Sequence, residues 1–402
     1  MKKGLFVVFM ISVFTQIAAA QTIKTGVLVI GKGNNAIGAG FQSAISGVKT
    51  IMLIQAADLV ITPQDKNISS GLESLFLKKM RLAKGIQDSL SKVYVDKTSA
   101  NAVLRTWADS TKNLTVLRNV KWSRIKRSGN NWNVLLEDGR TIKAEVLVNA
   151  DGSGNVTEAL ALKGPIKKQW QPLSYSDNFY RVSVSAGYWV NNSNANVILL
   201  DSFLLPKQEN LVVLNPKDES LAGGQAAGAT AAYAVFFRTK TSLSALKSIQ
   251  KELINHHLSV MPFADILHND PNWKSIQFVG LSGFLKANLV NGLANFNPEQ
   301  EVTTAEIKAP LKEFYYKAQI WFDDHKEAKM TVGTLLDMIC MVGNKSPETT
   351  KAEVRKRWTS GYQFKNAFDL NRYATRREFA VLVDEYLSPF EVKIDKLGRV
   401  IR

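Results

Sequence analysis

The fold is decided by residues 27–36, which read VLVIGKGNNA. The apolar run Val27–Ile30 predicts a buried strand, and the small residues that follow predict a turn and then a helix. A second apolar run, Ile51–Ile54, comes directly after that helix. A strand, a turn, a helix and a second apolar strand indicate two parallel strands joined by a crossover helix.

The turn between the first strand and its helix holds the first candidate binding residues. Gly31 permits a tight turn, and Gly33 lets the backbone approach a bound phosphate closely. The positive end of the following helix suits the pyrophosphate of a dinucleotide. Ala36 is small enough for the helix to pack closely on the strand. The candidates in this turn are Gly31, Gly33, Asn34, Asn35 and Ala36.

Two further junctions of a strand, a glycine turn and a helix follow along the chain. The apolar run Ala144–Val148 leads into residues 149–155, NADGSGN. The run Leu211–Leu214 is followed by residues 223–232, GGQAAGATAA. A helix so rich in glycine has poor intrinsic stability, so we expect either backbone or a flat ligand to lie close against it. The candidate residues at these two junctions are Ala150, Asp151, Gly152, Gly224 and Gln225.

Between the first two junctions the sequence changes to the periodicity of strands. Three short runs, Leu114–Leu117, Val120–Ile125 and Trp132–Leu136, are separated by polar and turn-forming residues. They predict a small antiparallel meander inserted before the strand at Ala144–Val148.

In this order, the three glycine turns resemble the FAD-dependent oxidoreductases of the exported kind often found in polysaccharide-degrading bacteria. The resemblance implies FAD as the cofactor, with its pyrophosphate at the first turn. It also implies that Asn149–Gly154 lies near the pyrophosphate and ribityl chain, and that the helix at Gly224–Gly228 points towards the isoalloxazine ring. The implied fold is α/β, a Rossmann-like FAD-binding parallel sheet with an inserted antiparallel meander and a mainly α-helical C-terminal domain.

The chain departs from the family pattern where the adenosine ribose is expected. Family members carry Glu or Asp at the end of the second strand, whereas this chain has Gln55, a neutral and weaker partner for a ribose hydroxyl. The segment between Gly154 and Asn210 is also short for a substrate-binding region. The resemblance therefore identifies no catalytic residue. An FAD-dependent oxidoreductase acting on a small molecule or glycan is favoured, and a non-catalytic binding protein remains the alternative.

The sequence predicts three regions: a signal peptide at residues 1–20, an oxidoreductase-like domain at 21–241 and a helical domain at 242–402. Two basic residues, an apolar core and the stretch Ala18-Ala19-Ala20 are typical of an exported protein, either periplasmic or extracellular. In the last region the pattern Thr-x-x-Glu occurs at Thr303 and again at Thr375, and predicts two capping boxes. Their surroundings resemble S-layer-homology repeats, which bind cell-wall polymers in some proteins.

The composition limits which partners and which kinds of site are expected. The net charge of +16 would suit an anionic cell-wall polymer or a phosphate-bearing ligand, but dispersed lysines that serve solubility are the favoured explanation. Without a basic run interleaved with aromatic residues, we expect no nucleic-acid partner. A single cysteine and four histidines lack the spacing of a metal site. The apolar core of the N-terminal segment is too short and too close to the N-terminus for a membrane span, so no transmembrane anchor is expected.

Overall fold

The computed structural model describes residues 21–62, 70–88, 93–163, 166–188 and 194–401. The predicted signal peptide at residues 1–20 lies outside the described residues. The described strands are β1 (Thr22–Ile30), β2 (Thr50–Leu53), β3 (Leu114–Leu117), β4 (Trp122–Ser128), β5 (Asn131–Leu136), β6 (Thr141–Asn149), β7 (Trp170–Pro172), β8 (Ser183–Tyr188), β9 (Ala195–Leu199), β10 (Leu211–Val213), β11 (Asn288–Val290) and β12 (Leu293–Asn295). The described α-helices are α1 (Asn34–Ile45), α2 (Gly71–Ala83), α3 (Lys97–Ser110), α4 (Asn155–Ala159), α5 (Leu221–Phe236), α6 (Leu246–Asn255), α7 (Trp273–Ser282), α8 (Thr304–Phe314), α9 (Tyr316–Asp324), α10 (Val332–Gly343), α11 (Pro347–Arg357) and α12 (Arg376–Leu387).

A seven-stranded sheet forms the centre of the N-terminal half. Its order is β3-β2-β1-β6-β5-β4, and β10 pairs with the C-terminal part of β6. Strands β1, β2, β3, β6 and β10 are parallel, and Ile30 is in register with Leu53 on one side and with Asn149 on the other. The carboxyl ends of these five neighbouring strands therefore meet at one edge. The predicted α/β class with a Rossmann-like parallel sheet is confirmed.

The predicted meander needs one correction. Strand β4 pairs antiparallel with β5, and β5 pairs antiparallel with β6. Strand β3, however, pairs parallel with β2, with Leu114 opposite Thr50, and so belongs to the parallel part of the sheet. The reason is the helix α3, which ends at Ser110 and returns the chain to the edge beside β2. A crossover through a helix gives a parallel pair, whereas a hairpin gives an antiparallel one.

The two faces of β1 contact different cores. Val27 and Val29 belong to a large core with the helices α1 and α5, whereas Leu28 and Ile30 belong to a smaller one on the opposite face. The smaller core includes apolar side chains of β2, of the meander and of α4. Because successive side chains of a strand point to opposite faces, burial on both faces requires an uninterrupted apolar run such as Val27–Ile30.

The C-terminal half is mainly helical and packs on the first half. A three-stranded antiparallel sheet has the order β7-β9-β8, and its strand β8 contacts both α5 and α6. The large core continues from Val27 to Phe390, so it includes apolar side chains of both halves. The domain boundary at residue 242 stays a prediction. Among the described residues, no helix has both the length and the apolar character that crossing a membrane requires.

Both predicted capping boxes are confirmed. The Thr303 amide donates to Glu306 at 2.8 Å, and the Glu306 amide donates to the Thr303 hydroxyl at 3.4 Å. Thr375 and Glu378 repeat the arrangement at 2.8 and 3.2 Å. The two repeats also meet in space, because an antiparallel bridge joins Glu301 to Thr375. The apolar residues of the two capped helices include Ile307, Leu311, Phe379 and Leu382, which are fully buried.

Candidate functional site

A cleft of about 510 Å³ opens at the carboxyl ends of β1, β2 and β6. Its volume lies within the range of roughly 300–1,000 Å³ that is usual for ligand pockets. In open α/β sheets, ligands bind in such a crevice beyond the carboxyl ends of the strands. The predicted residues that line the cleft are Gly31, Gly33, Gln55, Ala150, Asp151 and Gly152. Other residues of its lining include Lys32, Val60, Thr62, Ser153, Asn155 and Glu219.

Gly31 is a glycine for two structural reasons. Its φ of +146° is one that residues with a side chain rarely adopt. A Cβ atom on Gly31 would also lie 2.2 Å from the carbonyl oxygen of Ala150. The first and second turns therefore touch through backbone, which fixes the floor of the cleft.

Gly33 is the N-cap of α1, and space rather than backbone conformation demands a glycine there. Its φ of −90° and ψ of −166° are open to any residue. A Cβ atom would, however, lie 1.7 Å from Oε1 of Glu219, so this carboxylate rests directly against the N-terminus of α1.

Glu219 is held there by backbone donors. Its carboxylate accepts hydrogen bonds from the backbone of Asn35 and Asn34, the first two residues of α1, and lies near the charge of Lys32. Burial raises the pKa of Glu219, and these partners act in the opposite direction. The free N–H groups and the dipole of a helix N-terminus favour an anion at this position. The helix α1 therefore already binds one anionic group, which the chain itself supplies.

The side chains of Asn34 and Asn35 fasten two loops to α1. Asn34 forms a reciprocal pair with the backbone of Thr62, donating at 2.7 Å and accepting at 2.9 Å. Asn35 donates to the carbonyl of Asn215 at 3.3 Å and accepts from the amide of Ser220 at 3.0 Å. These contacts position the segment after β2 and the segment before α5 on two sides of the cleft. The two asparagine side chains thus shape the cleft, while their backbone amides hold the anion.

Ala36, Gly224 and Gln225 lie outside the cleft. Ala36 is fully buried in the large core. A Cβ atom on Gly224 would lie 2.3 Å from the carbonyl oxygen of Asn35, so α5 packs against α1 backbone to backbone. Gln225 is 1% exposed, accepts from the Leu72 amide at 2.9 Å and donates to Gln42 at 2.8 Å. We expected either backbone or a flat ligand to lie against the glycine-rich helix, and at Gly224 it is backbone.

The second turn is closed by Asp151. Its carboxylate accepts from the amides of Ser153 and Val156, both at 3.1 Å, and from the Ser153 hydroxyl at 2.7 Å. Gly152 has no atom within 4 Å of the position of a Cβ, so this turn leaves space towards the cleft. At the opposite side, Gln55 follows the end of β2 and is exposed to the cleft.

Sequence reasoning missed Glu219. The only signal was an acidic residue directly before Ser220, whose hydroxyl caps α5 by accepting from the Gly223 amide at 2.9 Å. That signal could not show that the loop before α5 reaches α1, which lies about 185 residues earlier. In the described parts of the chain, no group of three or more His, Cys, Asp or Glu residues is placed to hold a metal ion.

No family model and no curated protein matches this sequence. Among solved structures, GidA of Aquifex aeolicus is 19% identical, with 31% of this chain covering 25% of that one at a TM-score of 0.23. The p-nitrophenol 4-monooxygenase PnpA of Pseudomonas putida is 11% identical, with coverage of 59% and 85% and a TM-score of 0.32. A flavin-containing monooxygenase of Stenotrophomonas maltophilia is 20% identical, with coverage of 32% and 38% and a TM-score of 0.22. This chain thus spans about a quarter of GidA, and similarities this weak assign no function.

Proposed function

We propose that this protein binds FAD in the cleft at the carboxyl edge of the sheet and acts as an FAD-dependent oxidoreductase. The observation that carries the proposal is the anion site at the N-terminus of α1. Its backbone donors hold the Glu219 carboxylate next to Gly33, at the turn after the first parallel strand. This is where dinucleotide-binding folds place a pyrophosphate.

The residues around the cleft fit the phosphate and ribose parts of FAD. The backbone amides of Asn34 and Asn35 would hold a phosphate once Glu219 moves aside. The amide of Gln55 would bond a ribose hydroxyl, and the open turn at Gly152 would let the ligand approach β6. FAD supplies the redox chemistry when it is bound, so the protein provides orientation and electrostatics rather than a nucleophile.

A second candidate, a non-catalytic binding protein, is favoured by the surroundings of α5. Every residue from Leu221 to Ala232 is buried by protein, including those that the family resemblance places near the isoalloxazine ring. At Gly223 a Cβ would lie 3.2 Å from the side chain of Ile198 in β9. The ring would therefore have to bind away from this segment, or the site would hold only the nucleotide part of the cofactor.

We also propose that the protein is exported, on the basis of the pattern of residues 1–20. We propose a small molecule or a glycan as its substrate.

An anionic cell-wall polymer is a further proposed partner, and the structure limits which basic residues could contact it. Arg376 and Arg377 are only 5% and 8% exposed and are paired with Glu306 and Asp270. A polymer would therefore have to meet exposed basic residues such as Arg355 and Lys356. Retention of the mature full-length protein on purified wall polymer at low salt, and its release at high salt, would support this partner.

The experiment for FAD is a titration of purified mature protein, followed by flavin fluorescence and by thermal unfolding. We expect saturable binding and a rise in Tm with FAD concentration, because a ligand that binds only the native state stabilises it. Gly33→Val should abolish both effects, since its side chain would occupy the phosphate position. Ala352→Val is the control and should behave like wild type, because it adds a valine side chain at an exposed position of α11 outside the cleft. Equal FAD affinity in Gly33→Val and wild type would refute the assigned site.

A further inference from the structure

We propose that Glu219 sets the affinity of the cleft for phosphate-bearing ligands by occupying their binding position in the unliganded protein. The identity of the ligand rests on the proposed function. The role of Glu219 is argued separately, from the position of its carboxylate, the groups that hold it and the contacts that a phosphate would need there.

The first step is that carboxylate and phosphate need the same place. A Cβ on Gly33 would meet both Oε1 and Cδ of Glu219, at 1.7 and 2.7 Å, so the carboxylate fills the space that Gly33 leaves by having no side chain. In dinucleotide folds this absent side chain is what lets pyrophosphate approach. A phosphate and the Glu219 carboxylate therefore cannot occupy this position together.

The second step is that they need the same donors. The backbone amides of Asn34 and Asn35 bond the Glu219 carboxylate. These are among the first N–H groups of α1, which have no partner within the helix and would serve a phosphate. The ligand must therefore displace a charge-assisted contact before it forms its own, and the displaced carboxylate stays nearby as a like charge.

The third step is that Glu219 can move without unfolding its surroundings. It lies between the 3₁₀ helix Pro216–Asp218 and α5, and both neighbours are fastened by other groups. Asp218 accepts from the amide of Gln169 at 2.6 Å, and Ser220 donates its amide to Asn35 at 3.0 Å. The backbone on either side thus stays anchored while rotation about the side-chain bonds of Glu219 empties the position at Gly33.

Among the charged residues that line the cleft, Glu219 opposes the binding of a phosphate most directly. Lys32 lies near Glu219 and would attract either anion. Asp151 also lines the cleft, but its carboxylate is bonded within its own turn to Ser153 and Val156. Neutralising Glu219 should therefore strengthen phosphate binding in a way that removing an acidic residue elsewhere would not.

The test compares wild type, Glu219→Gln and Glu137→Gln by calorimetric titration with pyrophosphate, ADP and FAD in turn. Glu137 is exposed in the turn between β5 and β6, so its variant makes the same charge change outside the cleft. We expect Glu219→Gln to bind ADP about tenfold more tightly than wild type, the size that a contact at a helix N-terminus can contribute. Glu137→Gln should bind like wild type.

The outcomes separate this proposal from the function on which it rests. ADP and FAD bound equally well by wild type and Glu219→Gln would overturn the role of Glu219 and leave FAD binding standing. Tighter pyrophosphate and ADP binding by Glu219→Gln, with no FAD binding by any form, would support the role of Glu219 and refute FAD. Failure of all three folded proteins to bind any probe would overturn both. Circular dichroism of each variant establishes that it is folded.

Discussion

The close contact between α1 and α5 gives the sharpest prediction about stability. We expect Gly224→Ala to lower the free energy of unfolding, because the new methyl group would lie 2.3 Å from the Asn35 carbonyl oxygen and 3.0 Å from its Cα. Both groups belong to helix backbones, so neither can move aside as a flexible side chain would. The same crowding recurs one turn later, where a Cβ on Gly228 would lie 2.4 Å from the carbonyl oxygen of Ala39.

The magnitude follows from two opposing effects. Overpacking of a well-packed core costs about 1–3 kcal/mol. Alanine gains about 1 kcal/mol over glycine from helix propensity. Because Gly224 is buried and its contacts are backbone, we expect a packing cost in the upper part of that range, about 2–3 kcal/mol, and therefore a net loss of about 1–2 kcal/mol. A shift of α1 would also move the amides of Asn34 and Asn35, so FAD affinity should fall in the same variant.

The assay is equilibrium urea unfolding of residues 21–402, followed by circular dichroism. Gly152→Ala is the control, since its Cβ would meet open space and its backbone needs no positive φ. A midpoint for Gly224→Ala equal to or above that of wild type would show that the two helices are not in backbone contact. The reasoning about α5 would then be wrong.

Three further predictions concern the cleft and the C-terminal half. Gln55→Glu should bind FAD several-fold more tightly, because a charge-assisted hydrogen bond to ribose is roughly twice as strong as a neutral one. An unchanged or lower FAD affinity in a fluorescence titration would argue that Gln55 does not contact the ribose. Thr375→Ala should lower the free energy of unfolding by about 1 kcal/mol through loss of the α12 cap, and an unchanged urea midpoint would contradict this. Burial raises the pKa of Asp384 to about 6, so its charged form weakens the folded state at higher pH. Asp384→Asn should therefore have a free energy of unfolding about 1–3 kcal/mol above that of wild type at pH 8. This difference in stability should shrink as the pH falls from 6 towards 4. A difference that is constant from pH 4 to 8 would exclude ionisation of Asp384 as its cause.

Local patterns predicted the centre of the fold correctly. The run Val27–Ile30 is buried on both faces of the sheet, and the small residues after it begin α1 at the carboxyl end of β1. The capping boxes at Thr303 and Thr375 were also predictable, because their contacts span only three residues. These features depend on side-chain size, periodicity and short-range hydrogen bonds, all of which the sequence contains directly.

Strand pairing was predicted less well, because it depends on where the chain returns. The run Leu114–Leu117 has the same periodicity whether it forms a hairpin or joins the edge of a parallel sheet. The path of α3 decides between them and places β3 beside β2. The sheet β7-β9-β8 was not predicted, and its first strand, Trp170–Pro172, is too short to show an alternating pattern.

The site shows the same division between local and distant determinants. The glycines of the first turn were identified from spacing, and Gly31 and Gly33 do line the cleft. Glu219 was missed because its contacts with α1 depend on the packing of α5. Arg376 and Arg377 are a further case, because their burial in ion pairs with Glu306 and Asp270 depends on residues about 70 and 107 positions earlier.

The most direct test of the central claim is a crystal structure of residues 21–402 grown with FAD. We predict the pyrophosphate against Gly33, bonded to the amides of Asn34 and Asn35, with the Glu219 carboxylate moved out of that position. FAD bound elsewhere, or a Glu219 carboxylate still seated on α1 in crystals saturated with FAD, would contradict the account.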